Sequence, residues 1–223
     1  MSQLNDGNDD TRILNIVIVG TAGQGVITLK RLIEFIAAEE GYEGIFGSEM
    51  HGLAQREGAI SSHCRLQKKK SENIRENIFS PTICYGDADL VIGFEPVEIL
   101  RNAGQFASDK TTFVVNERTI PPILVTAGKE TYPSLDEIKE MLVQYSHDPG
   151  HVASLNATEL AITELDDAQK MNMIMFGFAM VTGLLDFTLE TCETVVRREL
   201  RDADANMAAI RLGMERGRDV LKK

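Results

Sequence analysis

The spacing of apolar residues divides the chain into short buried strands and amphipathic helices. A β-branched run over residues 13–19 ends at Gly20, which predicts a first strand buried on both faces. Apolar residues then recur at helical spacing from Val26 to Glu40, and Gly41 ends that helix. The same criteria predict further strands at 42–46, 59–66, 89–93, 111–116 and 151–156, and helices at 96–106 and at 134–146, where Ser134 and Glu137 form a capping box.

Beyond about residue 158 the pattern contains helices only. We predict them at 158–165, 169–185, 189–201 and 204–222. Strand–helix alternation followed by helices is typical of one α/β domain whose C-terminal helices pack on the sheet. Since no repeat or low-complexity linker divides the chain, we expect a single domain at 13–223 after a poorly ordered polar tail at 1–12. The methionine-rich helix around 171–180 is interpreted as core or as subunit interface.

The charge balance limits the partners of this chain. It has 23 Lys+Arg against 34 Asp+Glu and a net charge of −11, whereas binding nucleic acid needs a clustered basic surface. The N-terminal residues contain no apolar core of a signal peptide. The longest apolar stretch, at 173–185, has 13 residues and falls short of the roughly 20 that span a bilayer. We therefore expect a cytoplasmic protein with neither a nucleic-acid nor a membrane partner.

The cysteines are few and widely separated. Cys64, Cys84 and Cys192 form no C-x-x-C pair, and an odd, sparse set is typical of reduced thiols. The usual local spacings of an iron–sulfur cluster or a structural zinc cannot be built from them. We expect no metal centre on this chain.

The turn between the first strand and the first helix is rich in glycine, with the sequence GTAGQG over residues 20–25. Glycines allow positive φ and close approach of a ligand, and the N-terminus of the following helix favours an anion. The spacing is G-x-x-G-x-G, which differs from the dinucleotide fingerprint and from a P-loop. The turn is therefore interpreted either as a ligand contact or as a tight turn needed for strand–helix packing.

A second polar stretch, GSEMHGLAQREG over residues 47–58, should form a loop at the carboxyl edge of the sheet. That edge also carries the glycine-rich turn, and open α/β sheets bind ligands there. If the first two strands lie side by side and parallel, both loops emerge together. So dense a polar loop favours a defined site. The alternative is a self-capped loop in which Glu49 pairs with Arg56.

Four motifs in order along the chain carry a family resemblance: GTAGQGV, GSEMHGLAQREGAISSHCRL, DLVIGFEPVEILR and NERTIPP. Together they resemble the gamma/beta subunit family of 2-oxoacid:ferredoxin oxidoreductases, and most closely its indolepyruvate branch. The resemblance runs from about Asn15 to Pro122 and continues more weakly through Tyr132-Pro133, residues 156–158 and residues 170–173. Where the family usually has glycine, this chain has Ala22 and Glu57.

The resemblance implies a Rossmann-like, mostly parallel sheet flanked by helices, with a helical C-terminal third. It also implies a non-cluster subunit of a thiamine-diphosphate enzyme that decarboxylates a 2-oxoacid oxidatively, forms an acyl-CoA and reduces ferredoxin. Thiamine diphosphate, Mg and [4Fe–4S] clusters would belong to a companion subunit, which would also contact ferredoxin. This chain alone would bind none of these cofactors and would be inactive. Asp87 with Asn116 is weakly similar to a thiamine motif, but we expect Asp87 to lead into a strand instead.

The expected site residues come from the two polar stretches, and they would form a site shared with the thiamine-bearing subunit. Backbone N–H groups and amides would hold an anionic cofactor, with part of coenzyme A as a candidate. An arginine would hold a phosphate or carboxylate, and neighbouring groups would orient it or move protons. The cofactor-binding candidates are Gly20, Gly23, Gln24, Gly25, Ser48 and Gln55, and the catalytic candidates are Glu49, His51 and Arg56.

Two other functions remain open at this point. The chain could be a stand-alone nucleotide-binding oxidoreductase, although its glycine spacing differs from that of such enzymes. It could also be a structural assembly subunit whose loops only dock a partner. A partner-dependent subunit should expose an apolar patch, so we expect a homodimer in isolation, formed through the methionine-rich helix.

Overall fold

The computed structural model describes residues 10–52 and 58–222. Over these residues the chain forms one sheet of six strands, in the order β2-β3-β1-β4-β5-β6. All strands except β3 run in the same direction, because β3 pairs antiparallel with both β1 and β2 and the remaining pairs are parallel. The predicted mostly parallel sheet is confirmed. The strands are β1 (Ile13–Thr21), β2 (Gly44–His51), β3 (Ala59–Gln67), β4 (Leu90–Gly93), β5 (Thr112–Asn116) and β6 (Val152–Leu155).

Helices cover both faces of the sheet, and they account for the whole C-terminal third as predicted. Alternate residues of each strand face opposite layers: Ile16 and Ile18 pack in one buried cluster, while Val17 and Val19 pack in the other. Helices α1, α6, α7 and α8 belong to the first layer, and α2 and α4 to the second. The helices are α1 (Val26–Glu39), α2 (Pro96–Phe106), α3 (Ile123–Thr126), α4 (Leu135–Ser146), α5 (Ala157–Leu165), α6 (Met171–Met180), α7 (Leu189–Glu199) and α8 (Ala203–Leu221).

Two expectations about the second strand are wrong. The polar residues 47–51 belong to β2 rather than to a loop, because β2 continues in antiparallel register with β3 from Gly44 opposite Gln67 to His51 opposite Ile60. Nor do β1 and β2 lie side by side, since β3 returns between them. The next strand along the chain, β3, is the pairing partner of β2. Because β1 and β2 still point the same way, their following loops emerge at the same edge.

The methionine-rich helix α6 is part of the core and not an interface. Every residue from Met171 to Met180 is buried, and the helix packs closely against α8. A Cβ atom at Gly177 would overlap the carbonyl oxygen of Ile210, and one at Gly213 would overlap that of Ile174. The expected dimer contact through this helix is therefore wrong, because all of its residues are buried within this chain and only its first turn borders a cavity. Among the described helices, none combines the length and apolarity needed to cross a membrane.

Candidate functional site

A cavity of about 750 Å³ opens at the carboxyl edge of the sheet. Its walls are the glycine-rich turn after β1, the segment that follows β5, the start of α6 and the connection between α7 and α8. Ligands of open α/β sheets bind at this edge. The sequence predicts a site at this edge, and the cavity lies there, but most of its walls come from segments other than the two polar stretches.

The glycine-rich turn supplies one wall through Gly23 and Gly25. Both have positive φ, 91° and 84°, a region that side chains other than glycine adopt only with strain. A Cβ at Gly23 would meet no atom within 4 Å, so this residue faces open space. Gly25 is the N-cap of α1, and no described side chain caps that helix. The positive end of the α1 dipole is thus presented to the cavity.

Gly20 and Gln24 hold the glycine-rich turn in place, Gly20 through close packing and Gln24 through hydrogen bonds. A Cβ at Gly20 would lie 2.7 Å from Gln24 Oε1 and 3.0 Å from Phe94 Cβ. The Gln24 amide accepts a hydrogen bond from Thr21 N (2.7 Å) and donates one to the Phe94 carbonyl (3.1 Å). Gly20 therefore serves strand–helix packing, whereas Gly23, Gln24 and Gly25 line the cavity, where a ligand contact stays a prediction.

Three cationic side chains line the cavity, and the sequence analysis did not select them. Arg118 follows β5, Lys170 precedes α6 and Arg201 precedes α8. Neither Arg118 nor Arg201 forms an ion pair within residues 10–52 and 58–222. The Lys170 side chain is only 12 % exposed and lies 3.7 Å from Asp167. The carboxylate of Asp202 also lines the cavity, so three cations are set against one anion there. In a chain of net charge −11, this local positive excess favours the binding of an anion.

Two buried asparagines add polar groups to the same wall. Asn172 is 8 % exposed, and its amide has no hydrogen-bond partner among the residues that the structure describes. Asn206 is 7 % exposed and donates to the Arg201 carbonyl at 2.7 Å. The Asn172 amide borders the open cavity, so it is available to a ligand.

Glu49 and His51 lie on the outer side of α1, away from this cavity. Glu49 Oε1 is 3.4 Å from Lys30 Nζ, and the same ammonium is 3.3 Å from Glu34. His51 Nε2 is 3.8 Å from Glu49. Burial raises the pKa of Glu34 despite the neighbouring Lys30. Glu49 lines a second cavity of about 560 Å³, which meets the first at Thr28 and Leu200.

Ser48 lies on the opposite face of the sheet, because successive residues of a strand alternate. Its hydroxyl donates to the Pro81 carbonyl at 3.2 Å, so the structure does not bring Ser48 to the cavity. Gln55 and Arg56 lie outside the described residues, as does the suggested pairing of Glu49 with Arg56. Gly58, the first described residue after this stretch, does contact the glycine-rich turn, because Ala22 N donates a hydrogen bond to Gly58 O at 3.0 Å.

Motifs far apart in sequence meet in one hydrogen-bond network behind the cavity. The Phe94 carbonyl, at the end of β4, accepts from Gln24 (3.1 Å) and from Asn116 Nδ2 (3.0 Å). Asn116 also bonds Thr158 through its amide nitrogen (3.0 Å) and its amide oxygen (3.3 Å). The glycine-rich turn, the end of β5 and the start of α5 are therefore held at fixed distances from one another.

The residues that are weakly similar to a thiamine motif lie at opposite edges of the sheet. Asp87 precedes β4 and accepts from Asn15 Nδ2 at 3.0 Å, whereas Asn116 ends β5 at the carboxyl edge. They cannot hold one ion between them. Within the described ranges, no group of three or more His, Cys, Asp or Glu side chains could hold a metal ion.

Comparison with known proteins places this domain in a family. Residues 15–216 match the pyruvate ferredoxin/flavodoxin oxidoreductase family, and the chain belongs to it. Its relatives include the indolepyruvate oxidoreductase subunit IorB of Pyrococcus horikoshii, which is 32% identical over 209 residues, or 93% of this chain and 97% of that protein. The chain is therefore a subunit of the 2-oxoacid:ferredoxin oxidoreductase type.

Solved structures share the fold. The pyruvate oxidoreductase subunit PORC of Thermotoga maritima superposes with a TM-score of 0.61 at 19% identity, covering 92% of this chain and 96% of that one. The 2-oxoglutarate:ferredoxin oxidoreductase of Magnetococcus marinus, with 2-oxoglutarate, coenzyme A and succinyl-CoA bound, gives 0.62 at 14% identity over 95% of this chain and 31% of that one. The Rossmann-like fold expected from the sequence is confirmed.

Proposed function

We propose that this chain is the non-cluster subunit of a thiamine-diphosphate-dependent enzyme acting on a 2-oxoacid such as indolepyruvate. The enzyme would release the carboxylate as CO2, transfer the acyl group to coenzyme A and pass the electrons to ferredoxin. The substrate class rests on the relative that is 32% identical over nearly its full length. The observation that carries the role of this chain is the cationic cavity between the glycine-rich turn and the C-terminal helices.

Coenzyme A fits the chemistry of this cavity. Its phosphate groups would be held by Arg118, Lys170 and Arg201 together with the N-terminus of α1. Its pantetheine arm carries amide groups, which would complement the unsatisfied amide of Asn172. When bound, the cofactor supplies the thiol that accepts the acyl group. The part of this chain would be to bind and orient it.

The remaining cofactors belong to a companion subunit under this proposal. Thiamine diphosphate, Mg and the [4Fe–4S] clusters would lie there, and ferredoxin would dock on that subunit. The placement of Asp87 and Asn116 at opposite edges agrees with this division. The Glu49–His51 pair, at the end of β2 beside the second cavity, and Arg56 would add catalytic groups to the site shared with the companion. A homodimer would form when the companion is absent.

The test is reconstitution with the thiamine-bearing subunit, followed by viologen reduction with indolepyruvate, pyruvate or 2-oxoglutarate in the presence of coenzyme A. Replacing Arg118 or Arg201 with alanine should raise the KM for coenzyme A about tenfold each, since hydrogen bonds to charged groups contribute about 1.5–3 kcal/mol. Assembly and the KM for the 2-oxoacid should stay unchanged. Arg75→Ala is the matched control, because Arg75 is an exposed arginine in the segment after β3 and does not line the cavity.

Three results would contradict parts of the proposal. Wild-type KM for coenzyme A in both arginine variants would remove the cofactor from this cavity. Loss of assembly in these variants would favour a docking role, and stoichiometric nicotinamide or flavin binding by the isolated chain would favour a stand-alone oxidoreductase. No turnover of any 2-oxoacid by the reconstituted complex would overturn the function itself.

A further inference from the structure

The segment between β5 and α4 forms one wall of the cavity and is tied down at its beginning. Glu117 N donates to the Leu155 carbonyl at 3.1 Å, and the Glu117 carboxylate accepts from Ser154 Oγ at 2.6 Å. Arg118 is the next residue and lines the cavity together with Ile120. The backbone on the N-terminal side of Arg118 is thus fixed to β6.

One buried carboxylate ties the rest of this segment. Glu95 is 2 % exposed and caps α2 by accepting from Glu98 N at 2.9 Å. The same carboxylate accepts from Ile120 N at 3.2 Å and from the hydroxyl of Tyr132. Glu95 therefore holds both arms of the segment, one on each side of the short helix α3, against the N-terminus of α2.

Tyr132 should remain a hydrogen-bond donor to Glu95 over the working pH range. Burial and the adjacent carboxylate raise the pKa of Tyr132 well above its usual value, so the hydroxyl remains a donor. Glu95 has no cationic partner in the described part of the chain. Its charge is instead balanced by these hydrogen bonds and by the positive end of α2.

Arg118 has no such contact of its own. Its guanidinium makes no ion pair within the described ranges, so the backbone at Glu117 and Ile120 decides where it lies. We propose that Glu95 and Tyr132 are positioning residues that hold Arg118 towards Gly23 and Gly25 across the cavity. This inference rests on the proposed coenzyme A site and deepens it.

The test is a double-mutant cycle in the complex reconstituted with the thiamine-bearing subunit, with coenzyme A as the titrated ligand in calorimetry. Tyr132→Phe removes only the hydroxyl and should weaken binding about twofold to tenfold, the range of modest coupling energies. In the Arg118→Ala background the same substitution should have no further effect. Tyr145→Phe is the matched control, because the Tyr145 hydroxyl lies beside Gly104 between α2 and α4, away from the cavity.

The outcomes separate this inference from the proposed site. If Arg118→Ala leaves coenzyme A binding unchanged, the proposed site fails and the positioning role fails with it. Two results would overturn the positioning role alone, provided that Arg118→Ala weakens binding. One is that Tyr132→Phe leaves coenzyme A binding unchanged; the other is that Tyr132→Phe weakens binding as much in the Arg118→Ala background as in the wild type. Glu95→Gln gives a second cycle with the same expected non-additivity. Thermal unfolding of each variant, measured in parallel, reports any general loss of stability, which would not vanish in the Arg118→Ala background.

Discussion

Gly25 offers a direct test of the close approach between the glycine-rich turn and α6. Gly23 and Gly25 have nearly the same positive φ, so alanine at either position costs about 1–2 kcal/mol of backbone strain. Their surroundings differ. A Cβ at Gly23 meets no atom within 4 Å, whereas one at Gly25 would overlap Asn172 Nδ2 and lie 3.1 Å from its Cγ.

The difference in the free energy of unfolding between Gly23→Ala and Gly25→Ala should report the overlap of the added Cβ with Asn172. Non-bonded heavy atoms are comfortable at about 3.5–4.0 Å, so the buried Asn172 side chain would have to move as a whole. Overpacking of this kind costs typically 1–3 kcal/mol. We expect Gly23→Ala to lower the free energy of unfolding by about 1–2 kcal/mol and Gly25→Ala by about 2–5 kcal/mol.

Urea unfolding of the full chain measures both values, and equal m-values would show that the unfolded states are comparable. Asn172→Ala provides a rescue, because its amide makes no hydrogen bond within the described ranges. In the Gly25→Ala background, Asn172→Ala should recover most of the extra free energy of unfolding that Gly25→Ala loses relative to Gly23→Ala. Equal losses in the two glycine variants, or no rescue, would refute the packing of Asn172 against the turn.

Two further predictions concern the core. Gly177→Ala should lower the free energy of unfolding by about 1–3 kcal/mol through overpacking against Ile210. Gly104→Ala, at an exposed position within α2, brings a Cβ to 3.2 Å from the Tyr145 hydroxyl, the end of an exposed side chain that can turn aside, so it should change the free energy of unfolding by no more than about 1 kcal/mol. Similar denaturation midpoints would contradict the close α6–α8 packing. Burial, with a contribution from Arg65, lowers the pKa of His63 to about 4. Between about pH 6.5 and pH 4 the unfolded chain therefore binds more protons than the folded chain. The free energy of unfolding should fall by about 3 kcal/mol in total as the pH is lowered through this range. His63→Asn keeps an acceptor for Ile83 N, which donates to His63 Nδ1 at 3.1 Å, and should lose this part of the pH dependence; an unchanged profile would show that His63 does not titrate in this way.

The periodic parts of the sequence predicted their structures well. The helix at 96–106 and the capping box of Ser134 with Glu137 are present as expected, because periodicity and capping are local properties. The sequence predicts that the second strand ends at residue 46, because residues 47–51 are mostly polar. An edge strand needs only one paired side and tolerates polar residues, and β2 is such an edge.

The cavity shows why site prediction reached only one wall. Arg118, Lys170 and Arg201 come from separate segments, and each looks like an ordinary surface charge in its own sequence context. Only the packing of the C-terminal helices beside the sheet brings them opposite the glycine-rich turn. Within a Debye length of about 8 Å at physiological salt, these side chains, and not the net charge of −11, set the potential that a bound anion experiences. A chain that repels anions at long range can therefore hold one in this cavity, and binding there depends on contacts that the fold must position accurately.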